Sequence, residues 1–204
     1  MQPFTTVTGP AVPLMMANVD TDVIIRIERL TGEEALGPYA FEALRYRPDG
    51  GLNPDCVLNE PRFQSAPILL ARRNFGCGSS REGAVTALMA MGFRCVIAPS
   101  FGDIFVSNCF QNGLLPVPLA EAEVERLAAL SAAGDVTVDL ERCVIAVSGH
   151  GDAIAFAVDP LRRESLLQGL DDIGMTLMRE DNIAAWQAAD RVNRPWVWRL
   201  GNGR

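Results

Sequence analysis

The chain has 204 residues, 49% of them hydrophobic, with 18 Lys and Arg against 25 Asp and Glu for a net charge of −7. That length fits one domain over residues 1–204, large enough to fold around a core without metal or disulfide staples, with a tail expected to be flexible after about residue 190. The acidic field repels nucleic acid phosphates, and no apolar run approaches the roughly 18 residues of a membrane span, so neither nucleic acid nor a membrane is an expected partner.

The first 20 residues carry no basic start followed by an apolar block, so no export signal is expected. Five cysteines, at 56, 77, 95, 109 and 143, form no CxxC pair and leave an odd count. Neither a disulfide framework nor a zinc knuckle is expected from them, and a reducing cytoplasm is the natural compartment.

In chain order, the N-terminal third reads as irregular. Pro and Gly punctuate 9–13 and again 32–61, where "PDGGLNPD" reads as consecutive turns. Between them Val23, Ile24, Ile25 and Ile27 read as a short buried strand or turn. Order rises at Pro67. "ILLA" (68–71) is a buried strand, Arg81 to Met91 is a helix with Ala84, Leu88 and Met91 on one face, and "CVIA" (95–98) is the next strand. Ser79 or Ser80 is the expected cap of that helix, and Gly92 its stop. Two apolar strands flanking one helix predict a parallel, right-handed βαβ unit. A helix at about 101–111, a strand at "LLPV" (114–117) and an amphipathic helix from Glu121 to Ala132 follow. The period then shortens: Val136 and Val138, Val144 to Val147 and Ile154 to Val158 predict antiparallel strands, with a hairpin through "VIAVSGHGDAIAFAV". Helices from Leu161 to Gly169 and from Met178 to Ala189 complete a mixed α/β domain, and the tail beyond is expected to fray.

The segment "NFGCGSSRE" (74–82) carries the most chemical information. A strand delivers the chain to its carboxyl end, two glycines permit a tight turn, and a helix begins at once with unpaired N–H groups. Backbone donors, the Ser79 and Ser80 hydroxyls and the five-donor fork of Arg81 describe a receptor for a carboxylate or phosphate. The plainer reading is a capped helix whose Arg81 pairs with Glu82 or another surface carboxylate. Nucleotide motifs fail on spacing, since Arg81 stands where GxGxxG needs its last glycine and no GxxxxGK occurs. In "NVDTDVII" (18–25), Asp20 and Asp22 are spaced for metal binding or for orienting a base, with a local Asx turn as the alternative. Cys77 lies within the glycine loop, but the only histidine in the chain is His150, in the predicted hairpin turn. Arg26, Arg29, Arg72 and Arg73 flank the two segments and read as solvated, each with an outside claim on a second carboxylate. Trp186, Trp196 and Trp198 read as cover for an interface or as anchors for the tail.

Taken together, "NVDTDVII", "ILLARRNFGCGSSRE", "VIAPSFGDIF" and "NGLLPV" closely resemble the small subunits of 3-isopropylmalate dehydratase, in the aconitase superfamily, from about Thr8 to about Ala189. The resemblance implies an α/β fold: a swivelling β/β/α three-layer domain with a mixed sheet and a parallel βαβ unit. It also implies a hydro-lyase subunit that isomerises 2-isopropylmalate and 3-isopropylmalate in leucine biosynthesis, active only with a large subunit that carries a [4Fe–4S] cluster. No cofactor is then expected on this chain. Its partners would be that large subunit and a small branched 2-hydroxy dicarboxylate, with self-association when isolated. Residue by residue, Ser80 resembles the serine that removes a proton from the substrate carbon as an alkoxide, and Arg81 the arginine that binds a substrate carboxylate. Gly78 and Ser79 resemble the adjacent donors, and Asp22 the aspartate that orients acid–base groups of the large subunit. Two departures stand out: Gly83 replaces a histidine in SSREHA, and Arg26 replaces the proline that ends NxDTDxIIP. They keep open a related hydro-lyase acting on a citramalate- or dimethylmalate-like diacid, and a non-catalytic anion-binding paralogue.

Overall fold

Ile68–Ala71 and Cys95–Ala98 are apolar at every position and buried on both faces, so each demands cover from two sides. The structure, a computed structural model, supplies it and describes residues 1–32, 35–78 and 81–198. Its elements run β1 (Thr6–Gly9), β2 (Ala11–Leu14), α1 (Thr21–Ile24), α2 (Glu42–Arg45), β3 (Ile68–Ala71), α3 (Glu82–Ala90), β4 (Cys95–Ala98), α4 (Asp103–Asn112), β5 (Leu115–Pro118) and α5 (Glu121–Leu130). The chain continues through β6 (Val136–Asp139), β7 (Val144–Val147), β8 (Ile154–Ala155), α6 (Pro160–Gln168), α7 (Asp172–Leu177) and α8 (Glu180–Asn193).

The strands form two sheets, a parallel one ordered β2-β3-β4-β5 and an antiparallel one ordered β1-β6-β7-β8. One face of the parallel sheet (Val12, Leu69, Val96) packs with Ile24, Ala84, Leu88 and Phe105 of the helices. Its other face (Ile68, Leu70, Ile97, Leu115) shares a core with Val124 and Leu127 of α5 and with Val136, Val138 and Ile145 of the antiparallel sheet. The resulting order of sheet, sheet and helices is the expected β/β/α class, with parallel and antiparallel pairing segregated into separate sheets.

The N-terminal third is more regular than its Pro and Gly content predicts. Residues 6–14 make two strands, because β2 lies at the edge of its sheet, where Pro13 is tolerated. β5, at the opposite edge, likewise carries Pro116 and Pro118. The run 23–25, read as strand or turn, contributes instead to the single helical turn α1, whose buried Ile24 fits the core. Helix α3 is capped at Arg81 (φ −138°, ψ 116°) with no side-chain cap bond, which displaces the cap expected at Ser79 or Ser80. At the far end of the chain, Asp190 on α8 accepts hydrogen bonds from Arg194 (2.6 Å) and from the Trp198 indole (3.0 Å).

Candidate active site at the carboxyl edge of the parallel sheet

In a parallel sheet all carboxyl ends point the same way, and the loops leaving β2, β3 and β4 meet there, the general location of ligand crevices in such sheets. The loop after β2 contains "NVDTD" and the loop after β3 contains "NFGCG", and the two run side by side. Gly76 N–H donates to Val19 C=O (2.8 Å), Thr21 N–H to Cys77 C=O (2.9 Å), and Asn18 N–H to Arg73 C=O (2.9 Å). The loop after β4 joins from the other side, where Phe75 N–H donates to Ser100 C=O (3.0 Å) and Gly102 N–H to Phe75 C=O (2.9 Å).

Beneath the loops lies an aromatic floor. Phe75 meets Phe105 edge-on at 5.4 Å, and Phe101 stacks on Phe105 at 6.3 Å. Gly76 crosses that floor with φ +69°, and a Cβ there would run into the Phe105 ring. Gly78, exposed and at φ +88°, passes the Asp20 carboxylate so closely that a Cβ would collide with it. Both backbones favour glycine, and at Gly76 the Phe105 ring also leaves no room for a side chain.

The two acids of "NVDTD" have different tasks. Asp20 caps α1 by accepting from the Asp22 N–H at 2.7 Å, the local Asx arrangement. Asp22 instead reaches the glycine loop and forms an ion pair with Arg81, whose side chain is only 16% exposed while that of Asp22 is 53% exposed. Arg81 thus pairs with the acid of the other motif, 59 residues away, rather than with Glu82. Ser79 and Ser80 lie outside the described residues; they are flanked by Gly78 and Arg81, which are placed as above.

Three of the four flanking arginines are engaged elsewhere. Arg26 (3.2 Å) and Arg29 (2.9 Å) both grip Glu42 on α2, and Arg72 pairs with Glu125 at 3.0 Å. Arg26, which stands at the proline position, therefore directs its charge to Glu42 and not to Asp22. At Gly83 the methyl groups of Leu30 occupy the place where a side chain would begin. His150 is exposed in the turn between β7 and β8, and Cys77 is half-buried.

Among the described residues no three His, Cys, Asp or Glu side chains group as a metal site. Burial pushes the Cys95 thiol up, and burial together with the neighbouring Cys95 pushes Cys109 up. Sequence reasoning did not weigh Asn18, Asn74 and Ser100, which join the three loops through side chains: Asn74 Nδ2 donates to Asn18 Oδ1 (2.9 Å), and Asn74 N–H donates to Ser100 Oγ (2.9 Å). The available signal was an asparagine at matching places in both quoted motifs.

Comparison with known proteins agrees with this architecture. Residues 1–122 match the aconitase C-terminal domain family, and residues 172–197 match the family of C-terminal domains found in 3-isopropylmalate dehydratase small subunits. The 3-isopropylmalate dehydratase small subunit of Paramagnetospirillum magneticum is 50% identical over 97% of this chain and 100% of its own length. That of Gluconacetobacter diazotrophicus is 49% identical over 98% of this chain and 99% of its own length. A crystal structure of 3-isopropylmalate dehydratase from Methanocaldococcus jannaschii superposes with a TM-score of 0.65 at 25% identity, covering 89% of this chain and 99% of that one. With the fold, the loop motifs and near-full-length identity in agreement, the chain belongs to the family of 3-isopropylmalate dehydratase small subunits.

Proposed function

We propose that this chain is the small subunit of a hydro-lyase that interconverts 2-isopropylmalate and 3-isopropylmalate in leucine biosynthesis, removing and re-adding water through 2-isopropylmaleate, and that its carboxyl-edge loops complete the active site against a large subunit. The observation that carries the site assignment is the Asp22–Arg81 ion pair, which joins two distant motifs at the mouth of a parallel sheet. A guanidinium that already holds one carboxylate there is arranged to hold another.

In this reading Arg81 binds a carboxylate of the diacid, and Asp22, released from it, orients acid–base groups of the large subunit. Gly78 and Ser79 supply donors beside Ser80, which takes the proton from the substrate carbon. A serine hydroxyl is a poor base unless neighbouring donors stabilise its oxyanion, and a glycine loop at a helix start provides such donors. Fixing the diacid in the loop adds proximity. The [4Fe–4S] cluster belongs to the large subunit and supplies Lewis-acid activation when bound.

Among the described residues no helix is long and apolar enough to cross a membrane, and the five cysteines are free; the cytoplasm is the proposed compartment. Alone, the chain is expected to self-associate through exposed apolar side chains such as Ile173, Leu177 and Trp186. One domain over 1–204 remains the proposed organisation.

The test is to combine the chain with its cognate large subunit and follow the absorbance of the unsaturated intermediate from 3-isopropylmalate. Turnover is expected from the pair and not from the chain alone. Ser80→Ala should lower kcat by about 10²–10⁴-fold with assembly intact, the usual range for loss of a general base. A non-catalytic anion-binding module would instead show no turnover with the large subunit and would bind its ligand almost unchanged in that variant. The second reading, a different diacid, is favoured by Gly83 and the Leu30 methyls above it. A panel of malate derivatives ranked by kcat/KM decides between them.

A further inference from the structure

We propose that Asn18, Asn74 and Ser100 form a positioning relay that sets the distance between the loop bearing Asp22 and the loop bearing Arg81. The inference rests on the site reading above. β2, β3 and β4 are adjacent parallel strands, and each contributes one of the three residues just beyond its carboxyl end. Asn74 is the hub: its amide Nδ2 donates to Asn18 Oδ1, and its backbone N–H donates to Ser100 Oγ, both at 2.9 Å. Asn18 N–H closes the link from the other direction by donating to Arg73 C=O at 2.9 Å.

Residue choice points to the side chains. Asn18 and Asn74 are left-handed, with φ of 56° and 62°. Glycine adopts that conformation more cheaply than asparagine, so backbone demand alone favours glycine. Glycine brings no amide, and at both positions the amide is in use. The relay lies at one end of the paired loops and the Asp22–Arg81 ion pair at the other, with the backbone bonds Gly76–Val19 and Thr21–Cys77 between them. Freeing the relay end lets the loops slide relative to one another, which changes where Asp22 and Arg81 stand without removing either. These three are positioning residues, because they act through Asp22 and Arg81.

The experiment uses the assembled enzyme with its large subunit. Asn18→Gly and Asn74→Gly keep a backbone suited to φ > 0 and delete only the amides. Each should lower kcat per assembled enzyme by about 10–100-fold, the scale of an ångström-sized misplacement, with KM for 3-isopropylmalate changed less than about threefold. Asn18→Asp retains the acceptor and should restore kcat to within about threefold of the parent, whereas Asn74→Asp removes the donor and should resemble Asn74→Gly. A merely structural role would lower Tm or assembly and leave kcat per assembled enzyme at the parent value; that result overturns the proposal, as does a kcat loss that Asn18→Asp shares. If a glycine variant fails to assemble, Ser100→Ala gives the same decision: a fall in kcat with KM held supports the relay, and parent kcat overturns it. Ser80→Ala and Arg81→Ala are measured alongside. If they keep turnover, the site reading itself fails; if they lose it while the asparagine variants do not, only the relay fails.

Discussion

Helix α3 buries Ala84, Val85, Ala87 and Leu88 within nine residues, whereas α8 buries only Asp190 within fourteen. α3 is helical because its apolar face has a sheet to sit on, and Arg81 stands at its start. α8 has no such floor. Its order comes from Ala184, Ala185, Ala188 and Ala189, from Glu180 and Asp181 in its first turn, and from Arg191 in its last. The difference teaches where the molecule spends its packing: beneath the loops that carry chemistry.

Identical kinds of substitution in the two helices make that contrast measurable. The largest stability effect is expected for Leu88→Ala, a loss of about 2–5 kcal/mol in urea unfolding, because Leu88 is wholly enclosed. Arg81→Ala should divide the two readouts. Truncating one member of a hydrogen-bonded charge pair typically costs about 2–5 kcal/mol in binding, so kcat/KM in the assembled enzyme should drop by ~30-fold or more. Its effect on unfolding should stay below that of Leu88→Ala, since its partner Asp22 is 53% exposed.

At α8 the expected effects are smaller. The hydrogen bond from Arg194, followed by that from Trp198, holds the Asp190 carboxyl below its ordinary value. A depressed acid stabilises its contacts above the unfolded pKa of about 3.9, and the contribution disappears as pH falls through the lowered native value. Trp198 emission should therefore hold steady from neutral pH to about 4 and shift red below it, a transition that Asp190→Asn removes. Val192→Ala, at a 79% exposed position, should change stability by less than about 0.5 kcal/mol. A cost near that of Leu88→Ala would show that α8 has a floor after all.

The middle of the chain was legible because β3, α3, β4, α4 and β5 are long enough or apolar enough to show their period. The N-terminal strands were not, since four-residue strands interrupted by Gly9, Pro10 and Pro13 carry turn residues and strand structure at once. α1 was misread because β-branched Val23, Ile24 and Ile25 favour strands locally, while the Asp20 cap and the core around Ile24 decide for a helical turn. At the site, both motifs could be singled out from their residues. Their meeting could not, because the Asp22–Arg81 pair depends on β2 and β3 being neighbours in a sheet whose edge strand was itself unrecognised.

The prolines at the margins of the parallel sheet have one more effect. Pro13 on β2 and Pro116 and Pro118 on β5 withhold amide hydrogens from the two strands that would otherwise offer an open template to another chain. Growth of this sheet into a neighbour's by strand addition is disfavoured at both borders. Association at this layer is thereby turned toward side-chain surfaces, and a chain waiting for its partner is less prone here to zipping up with its own copies.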